Sequence, residues 1–149
     1  MNSMIKAMSA AALVIAIVLA GSGMSLAAGS DKPKIGTSAT LGSYLTDGKG
    51  MTLYYFKKDA QDKNSCAGPC IEKWPVYYAE QIVAPAGSDA KDFGSLVRAD
   101  GKKQSTFKGW PLYYFSGDKA PGDTNGQGFK DVWYVINPIS MEPCKYGTM

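Results

Sequence analysis

The chain has 149 residues, of which 45% are hydrophobic and 19% are charged, which suits one compact domain and is too short for two large ones. The 16 basic and 13 acidic residues give a net charge of +3 that is spread along the chain, which excludes the basic block of a nucleic-acid-binding protein. Histidine is absent. This excludes histidine-dependent acid–base catalysis, histidine metal ligands and c-type haem attachment.

The first segment has the layout of a secretory signal peptide. Lys6 precedes an apolar run over residues 7–20, and a stretch of small residues follows it. Small residues at the two positions that signal peptidase reads predict cleavage after Ala27, so that residues 1–27 form the signal peptide and residues 28–149 form a single β-rich domain. The alternative is an uncleaved N-terminal anchor.

This segment predicts an exported location, in the periplasm or outside the cell. Bacterial lipoproteins carry a cysteine directly after the apolar run, whereas the first cysteine here is Cys66. We therefore expect no lipid anchor.

The rest of the chain contains an internal repeat. A shift of 59 residues superposes five blocks: Lys49-Gly50 on Lys108-Gly109, Leu53-Tyr54-Tyr55-Phe56 on Leu112-Tyr113-Tyr114-Phe115, Asp59 on Asp118, Trp74 on Trp133 and Val76 on Val135. We place the first copy at about residues 41–80, a connector at about 81–93 and the second copy at about 94–140. Two copies are too few for a solenoid, so we predict one core with approximate two-fold symmetry.

The first copy is predicted to begin with a β-hairpin. Residues 43–46 and 51–56 form the two strands, and Asp47-Gly48 between them tolerates the positive φ values of a hairpin turn. Residues 74–78 form a further short strand, since they are dense in aromatic and β-branched side chains. The following segment, 79–93, contains proline and glycine and reads as a connector with one short helical turn.

The second copy is predicted to repeat this plan with a longer arm. Residues 95–98 and 105–115 form the strands, Asp100-Gly101 forms the turn, and Gly109 and Pro111 indicate a bulge or an edge position. Residues 132–136 form its last strand. The predicted fold class is therefore all-β, a small antiparallel domain of two similar hairpin-containing repeats with pseudo-two-fold symmetry.

Aromatic side chains dominate the repeated strand. Side chains alternate between faces, so Tyr54 and Phe56 share one face while the other face is apolar as well. Strands of this kind are usually covered on both faces, which places Tyr54, Phe56, Tyr113 and Phe115 in or beside the core, with the tyrosine hydroxyls reaching polar partners. The alternative is a stacking platform for sugars or bases.

The pattern Tyr-x-Phe-x-x-Asp occurs as Tyr54/Phe56/Asp59 and as Tyr113/Phe115/Asp118. It resembles the secreted-repeat family of predicted bacterial lipoproteins that is named for this motif. Three further blocks support the resemblance: Tyr44-Leu45-Thr46-Asp47 with Gly50, Cys66-Ala67-Gly68-Pro69-Cys70 with Trp74-Pro75, and Gly109-Trp110-Pro111-Leu112 through Gly122-Asp123-Thr124. The resemblance implies an exported envelope domain whose biochemical role is not established. The missing anchor cysteine departs from the lipoprotein pattern.

The three cysteines point to a disulfide. Cys66 and Cys70 enclose a turn-prone trio, and in an exported protein such a pair is by default oxidised. The alternative is a thiol or soft-metal site for Cu(I), completed by the thioether of Met51 or Met141. Cys144 is then the thiol left over, either buried or joined to a second chain in a dimer.

The loop 118–128 carries weak candidates for a metal site. Four of its side chains offer oxygen ligands: Asp118, Asp123, Asn125 and Gln127. They resemble the start of a calcium loop, but Tyr134 stands where the bidentate glutamate would be needed. The alternative, which also covers Asp59, is that these side chains close turns through the backbone.

No catalytic residue and no cofactor is predicted. Asp59 and Asp118 are a symmetric carboxylate pair, but nothing in the sequence indicates the cleft that glycoside chemistry needs between them. We expect a non-catalytic, exported cell-envelope or secreted binding or structural protein with an unidentified partner that is not nucleic acid. In that reading the repeated residues, including Trp74 and Trp133, are mainly scaffold. The alternatives are a periplasmic thiol or copper redox accessory protein that uses Cys66 and Cys70, and a calcium-supported carbohydrate-binding module.

Overall fold

A computed structural model describes residues 29–144. The predicted signal peptide and its cleavage site lie outside these residues. The described part of the chain contains, in order, β1 (Ser30–Asp31), β2 (Lys34–Ser38), β3 (Gly42–Thr46), β4 (Tyr54–Phe56), helix α1 (Pro69–Lys73), β5 (Gln81–Ile82), a 3₁₀ turn (Ala90–Asp92), β6 (Phe93–Val97), β7 (Lys103–Phe107), β8 (Trp110–Pro111) and β9 (Trp133–Val135). The predicted all-β class is confirmed.

Antiparallel pairing around two tyrosines forms the centre of the fold. Tyr54 of β4 lies opposite Val135 of β9 on one side and opposite Tyr113 on the other. Tyr113 in turn lies opposite Val76. The order across the centre is therefore β9, β4, the segment at Tyr113 and the segment at Val76. The predicted strand over 74–78 is reduced to this single bridge, and the one over 132–136 is shortened to β9.

The two copies exchange strands across this centre. β9 of the second copy pairs with β4 of the first, while Val76 of the first copy pairs with Tyr113 of the second. On the axis between them the Tyr54 N–H donates to the Tyr113 carbonyl (2.8 Å) and the Tyr113 N–H donates to the Tyr54 carbonyl (3.0 Å). Because the outer strand of each half comes from the other copy, neither copy contains its own complete sheet.

An outer hairpin precedes the tyrosine strand in each half. β2 pairs with β3 in the first half, and β6 pairs with β7 in the second. β2 lies before residue 41, where the first copy is placed from the sequence. The prediction that Asp100-Gly101 is the counterpart of Asp47-Gly48 was wrong. Asp100-Gly101 lies in the connection from β6 to β7, whose counterpart is the connection from β2 to β3.

The predicted long arm over 105–115 was also wrong. The chain reverses at Lys108-Gly109, so that β8 folds back onto β7 with Thr106 opposite Pro111. The equivalent reversal in the first copy ends at Gly50 and brings Thr46 opposite Thr52. β8 is the outer strand of its sheet, where the missing amide donor of Pro111 costs no hydrogen bond between strands. This agrees with the edge position that the sequence indicated.

A helical turn, a short helix and a pair of short strands complete the fold. The connector carries the expected helical turn, Ala90–Asp92, whose first residues are capped by the Asp89 carboxylate accepting the Lys91 N–H at 3.0 Å. Helix α1 was not predicted; it begins at Pro69, a residue favoured at the first helical position. The parallel pair β1–β5 was not predicted either, since two residues are too few to give a pattern.

Two apolar clusters cover the two faces of the central strands. The first cluster contains Tyr44, Tyr54, Cys66, Trp74, Tyr113, Trp133 and Val135. The second cluster contains Leu45, Leu53, Tyr77, Ala79, Phe107, Leu112 and Ile136. Neighbouring residues alternate between the clusters, as expected for a strand buried on both sides.

The tight turn of each copy, at Gly50 or at Gly109, is hydrogen-bonded to a loop of the opposite copy. Gly50 and Gly109 have φ values of +91° and +82°, a region that favours glycine. The Asp62 N–H donates to the Gly109 carbonyl (2.9 Å), and the Gly122 N–H donates to the Gly50 carbonyl (3.2 Å). A Cβ atom on Gly50 would lie 3.0 Å from the Cβ atom of Pro121, so a side chain there would require the loop to shift by a few tenths of an ångström.

We expect Gly50→Ala to destabilise the protein more than Gly101→Ala. Both glycines have positive φ, which costs about 1–2 kcal/mol for alanine, but nothing lies within 4 Å of a Cβ atom on Gly101. Denaturant unfolding of both variants measures the difference. Equal losses of stability would contradict the close approach of the loop to the turn.

Candidate functional site

The motif tyrosines and aspartates form a crossed pair of hydrogen bonds. The Tyr54 hydroxyl donates to Asp118 Oδ2 at 2.6 Å, and the Tyr113 hydroxyl donates to Asp59 Oδ2 at 2.9 Å. Both tyrosines are 0% exposed and both aspartates are 7% exposed. Each bond therefore joins the tyrosine of one copy to the aspartate of the other in the interior of the domain.

The second oxygen of each motif carboxylate holds a loop. Asp59 Oδ1 accepts the backbone N–H of Ser65, and Asp118 Oδ1 accepts that of Asn125 at 2.9 Å. The Tyr54 hydroxyl oxygen also accepts the Gly126 N–H at 3.2 Å. A buried carboxylate is stable only when its oxygens are hydrogen-bonded. Each aspartate therefore bonds to the tyrosine of the opposite copy through one oxygen and holds the loop that follows it through the other.

A column of aromatic rings lies beside these bonds. Trp74 and Trp133 stack with centroids 3.8 Å apart and planes 3° from parallel. Phe56 stacks on Trp133 (4.3 Å) and Phe115 lies on Trp74 (4.5 Å), so rings of the two copies alternate along the column. Phe56 and Phe115 are half-buried at its two ends. The column joins the copies by the same crossed pattern as the hydrogen bonds.

Burial changes the acidity of these groups. Burial raises the pKa of Asp59 to about 6, although the hydrogen bonds from Ser65 and Tyr113 and the charge of Arg98 act in the opposite direction. Burial likewise raises the pKa of Asp118. The pKa values of Tyr54 and Tyr113 are raised by burial and by the neighbouring carboxylates, so the phenols stay protonated and act as donors.

The predicted disulfide between Cys66 and Cys70 is confirmed, with Cα atoms 5.4 Å apart. Arg98 of the second copy donates from Nη2 to the Cys66 carbonyl at 2.8 Å, which anchors the disulfide loop to the opposite copy. Met141, a candidate ligand of the copper alternative, packs against the second cluster, whereas both cysteines belong to or border the first. The structure does not bring this thioether to the sulfurs.

Cys144 lies in the interior and is 3% exposed. Its backbone N–H donates to the Lys108 carbonyl at 2.9 Å, which fastens the end of the described chain to the turn of the second copy. Burial raises the pKa of the Cys144 thiol to about 11, and the charges of Asp59 and Asp62 act in the same direction.

The candidate calcium ligands of loop 118–128 each bond to protein groups at different places instead of converging on one point. Asp118 binds Tyr54 and Asn125, as described above. Asp123 Oδ2 accepts the N–H groups of Lys119 (2.8 Å) and Ala120 (3.0 Å), which closes a turn. Gln127 Oε1 accepts the Val135 N–H at 2.7 Å, which ties the loop to β9. Among residues 29–144 no group of three or more Asp, Glu, Cys or His residues is placed to hold a metal ion.

A polar corner that the sequence analysis missed lies on the side of the second cluster. The Tyr77 hydroxyl donates to Asp31 Oδ2 (2.7 Å), and the Tyr114 hydroxyl donates to Asp47 Oδ2 (2.9 Å). These four side chains line a cavity of about 310 Å³. Asp31 lies before the first copy, so the internal repeat gives no signal for it.

An aromatic corner occupies the pseudo-equivalent position in the other half. Tyr55, the counterpart of Tyr114, lies against Trp110 with ring centroids 4.8 Å apart. The two rings line a cavity of about 340 Å³. Its remaining lining residues are Val135, Asn137, Ser140, Met141 and Glu142.

A family model described as a secreted repeat of unknown function matches the chain twice, over residues 37–77 and 94–137. The chain belongs to this family of secreted repeats. The match confirms the resemblance drawn from the motif, and each matched range contains one motif tyrosine with its aspartate. No curated protein and no solved structure matches this secreted repeat. Within residues 29–144, no helix is long and apolar enough to cross a membrane.

We expect Tyr54→Phe to destabilise the secreted repeat by about 1–3 kcal/mol, since it leaves a buried oxygen of Asp118 without its donor. Tyr113→Phe removes the reciprocal donor from Asp59 and should have a similar effect. The matched control is Tyr78→Phe, whose hydroxyl bonds to Glu80 at an exposed position. Denaturant unfolding should detect little change in the control. A Tyr54→Phe protein as stable as the control would contradict a structural role of the crossed pair.

The raised pKa of Asp59 makes stability depend on pH. The folded chain binds the proton more tightly than the unfolded chain, whose carboxyl has a pKa of 3.8. The resulting stabilisation is fully present below about pH 4 and is lost as pH rises through about 6, by on the order of 3 kcal/mol.

Asp59→Asn should therefore flatten the decrease in unfolding free energy between about pH 4 and pH 7, which urea titrations at several pH values measure. Asp118, whose pKa is also raised, contributes a remaining slope in the variant. An unchanged slope in Asp59→Asn would contradict this assignment.

Proposed function

We propose that this secreted repeat is a non-catalytic binding or structural domain of the bacterial cell envelope or the extracellular space. The observation that carries the proposal is the full engagement of the motif carboxylates. Asp59 and Asp118 each accept a phenol from the opposite copy and a backbone N–H from the loop that follows. Groups used in this way hold the fold.

The geometry favours this function over acid–base chemistry by the motif. A general acid or base must lie within hydrogen-bond reach of a substrate, in a cleft that admits it. Asp59 and Asp118 are 7% exposed. A substrate that reached either carboxylate would have to displace the buried tyrosine that bonds to it.

The disulfide supports a location outside the cytoplasm. Disulfides persist in the periplasm and in secreted proteins, whereas the cytosol keeps thiols reduced. The Cys66–Cys70 bond closes a short loop that leads into α1, and a loop of this length contributes roughly 2 kcal/mol by restricting the unfolded chain. The disulfide therefore restrains only the loop around it, and the hydrogen bond from Arg98 to the Cys66 carbonyl attaches that loop to the second copy.

The redox state of the exported protein tests the proposal. The protein is recovered from the envelope and secreted fractions, alkylated without reductant, and the peptides containing Cys66 and Cys70 are analysed by mass. We expect both sulfurs to be oxidised and unalkylated. Alkylation of both cysteines, together with an increase in melting temperature on adding Cu(I), would overturn the proposed non-catalytic function and favour the copper alternative.

A variant pair separates a structural disulfide from a functional one. We expect Cys66→Ser with Cys70→Ser to lower the unfolding free energy by about 2 kcal/mol and to leave the near-ultraviolet circular dichroism of the stacked tryptophans unchanged. Loss of that spectrum would contradict a local role of the disulfide. Lys73→Ser in the same helix serves as a control outside the bond.

A further inference from the structure

The polar corner and the aromatic corner differ in the contacts made by their equivalent tyrosines, Tyr114 and Tyr55. In the polar corner the Tyr114 hydroxyl is bonded to Asp47, and its ring packs edge-on against Tyr77. In the aromatic corner no hydrogen bond of residues 29–144 involves the Tyr55 hydroxyl, and the ring forms a cavity wall with Trp110. The crossed hydrogen bonds and the ring column that join the copies occur in both halves, and neither of them requires this difference between the corners.

The aromatic corner is held in place by its own hydrogen bonds. The indole N–H of Trp110 donates to the Glu142 carbonyl at 3.1 Å, which fixes the orientation of the ring. Asn137 Oδ1 accepts the N–H groups of Ile139 (3.0 Å) and Ser140 (3.1 Å), which shapes the loop opposite. The amide nitrogen of Asn137 takes no part in those bonds. A preformed site of this kind loses little entropy when it binds.

The lining combines aromatic faces with a few polar groups. Tyr55, Trp110 and Met141 supply apolar surface, while Asn137, Ser140 and Glu142 supply an amide, a hydroxyl and a carboxylate. Glu142 is the charged residue among the described residues that line the cavity, and the nearby Lys108 Nζ is bonded to the Met141 carbonyl at 3.0 Å. Nucleic acids and other polyanions are therefore disfavoured, because the described lining offers them no basic side chain. Wholly apolar ligands are disfavoured as well, since they would leave the polar groups without partners.

We infer that the aromatic corner is a binding site for a neutral carbohydrate. A pyranose ring has an apolar face of C–H groups and an edge of hydroxyls, which matches one aromatic wall and one polar wall. The inference rests on the proposed function and names the ligand class of that binding domain. The site is distinct from the loop 118–128.

The aromatic surface continues beyond the cavity. Tyr134 lies opposite Tyr55 in the β4–β9 pair, with ring centroids 6.0 Å apart. The row Tyr134–Tyr55–Trp110 therefore leads from the surface into the cavity, and Lys57 Nζ lies 5.4 Å from the Tyr134 centroid at its outer end. A row of three rings suits an oligosaccharide better than a single sugar.

Binding of three neutral tetrasaccharides to the full exported chain tests the inference: β-1,4-linked N-acetylglucosamine, β-1,4-linked glucose and α-1,4-linked glucose. The measurement is ¹H–¹⁵N NMR of the three tryptophan indoles. We expect saturable binding of at least one probe that shifts the Trp110 signal and leaves the stacked Trp74 and Trp133 signals in place. Trp110→Ala should raise the Kd at least tenfold, and Glu142→Gln severalfold.

Tyr114→Phe is the matched control in the polar corner and should bind the same probe with unchanged Kd. A probe that binds Trp110→Ala as tightly as the native chain would overturn the inference. So would the absence of saturable binding to all three probes. If that failure occurs while Cys66 and Cys70 are found oxidised in the exported protein, the carbohydrate site is disproved and the proposed scaffold function stands.

Discussion

The fold depends on two buried carboxylates whose phenolic partners lie in the opposite copy. Asp59 and Asp118 cannot be desolvated without donors, and the phenols that reach them in the interior belong to Tyr113 and Tyr54. Within one copy, the aspartate follows its own tyrosine by five residues and bonds to the other tyrosine instead. The requirement to pair these groups therefore brings the two copies together in one arrangement, and the backbone bonds between Tyr54 and Tyr113 lie on the axis of that arrangement.

Much of this architecture could be predicted from sequence, because repetition and aromatic alternation are local signals. The shift of 59 residues identified the motif positions, and the alternation along Tyr54–Phe56 identified a strand covered on both faces. The exchange of partners could not be predicted, since a copy that paired with itself would show the same pattern. The turn at Lys108-Gly109 was misread as part of one strand because Trp110 and Pro111 resume an extended conformation after it. The polar corner was missed because Asp31 lies outside the repeat.

Approximate symmetry separates the residues that hold the fold from those that are available for other roles. The crossed hydrogen bonds, the tryptophan stack and the two glycine turns occur in both halves, and each of them joins one copy to the other. Residues that differ between pseudo-equivalent positions are not bound by this constraint. Tyr55 and Tyr114 are the clearest case. Each lines a cavity, but the Tyr114 hydroxyl is bonded to Asp47, whereas the Tyr55 ring packs against Trp110. A duplicated unit can in this way keep a shared core while one of its two equivalent corners becomes a binding site.

Native-state hydrogen exchange tests the interlocked arrangement most directly. The amides of Tyr54 and Tyr113 donate to each other's carbonyls, while those of Ile136 and Tyr77 donate to Leu53 and Leu112 of the opposite copy. If the copies form a single cooperative unit, all four amides exchange through global unfolding with one common free energy. A difference of several kcal/mol between Tyr77 and Ile136, or exchange of either tyrosine amide well below the global free energy, would mean that the copies open separately and would contradict the account.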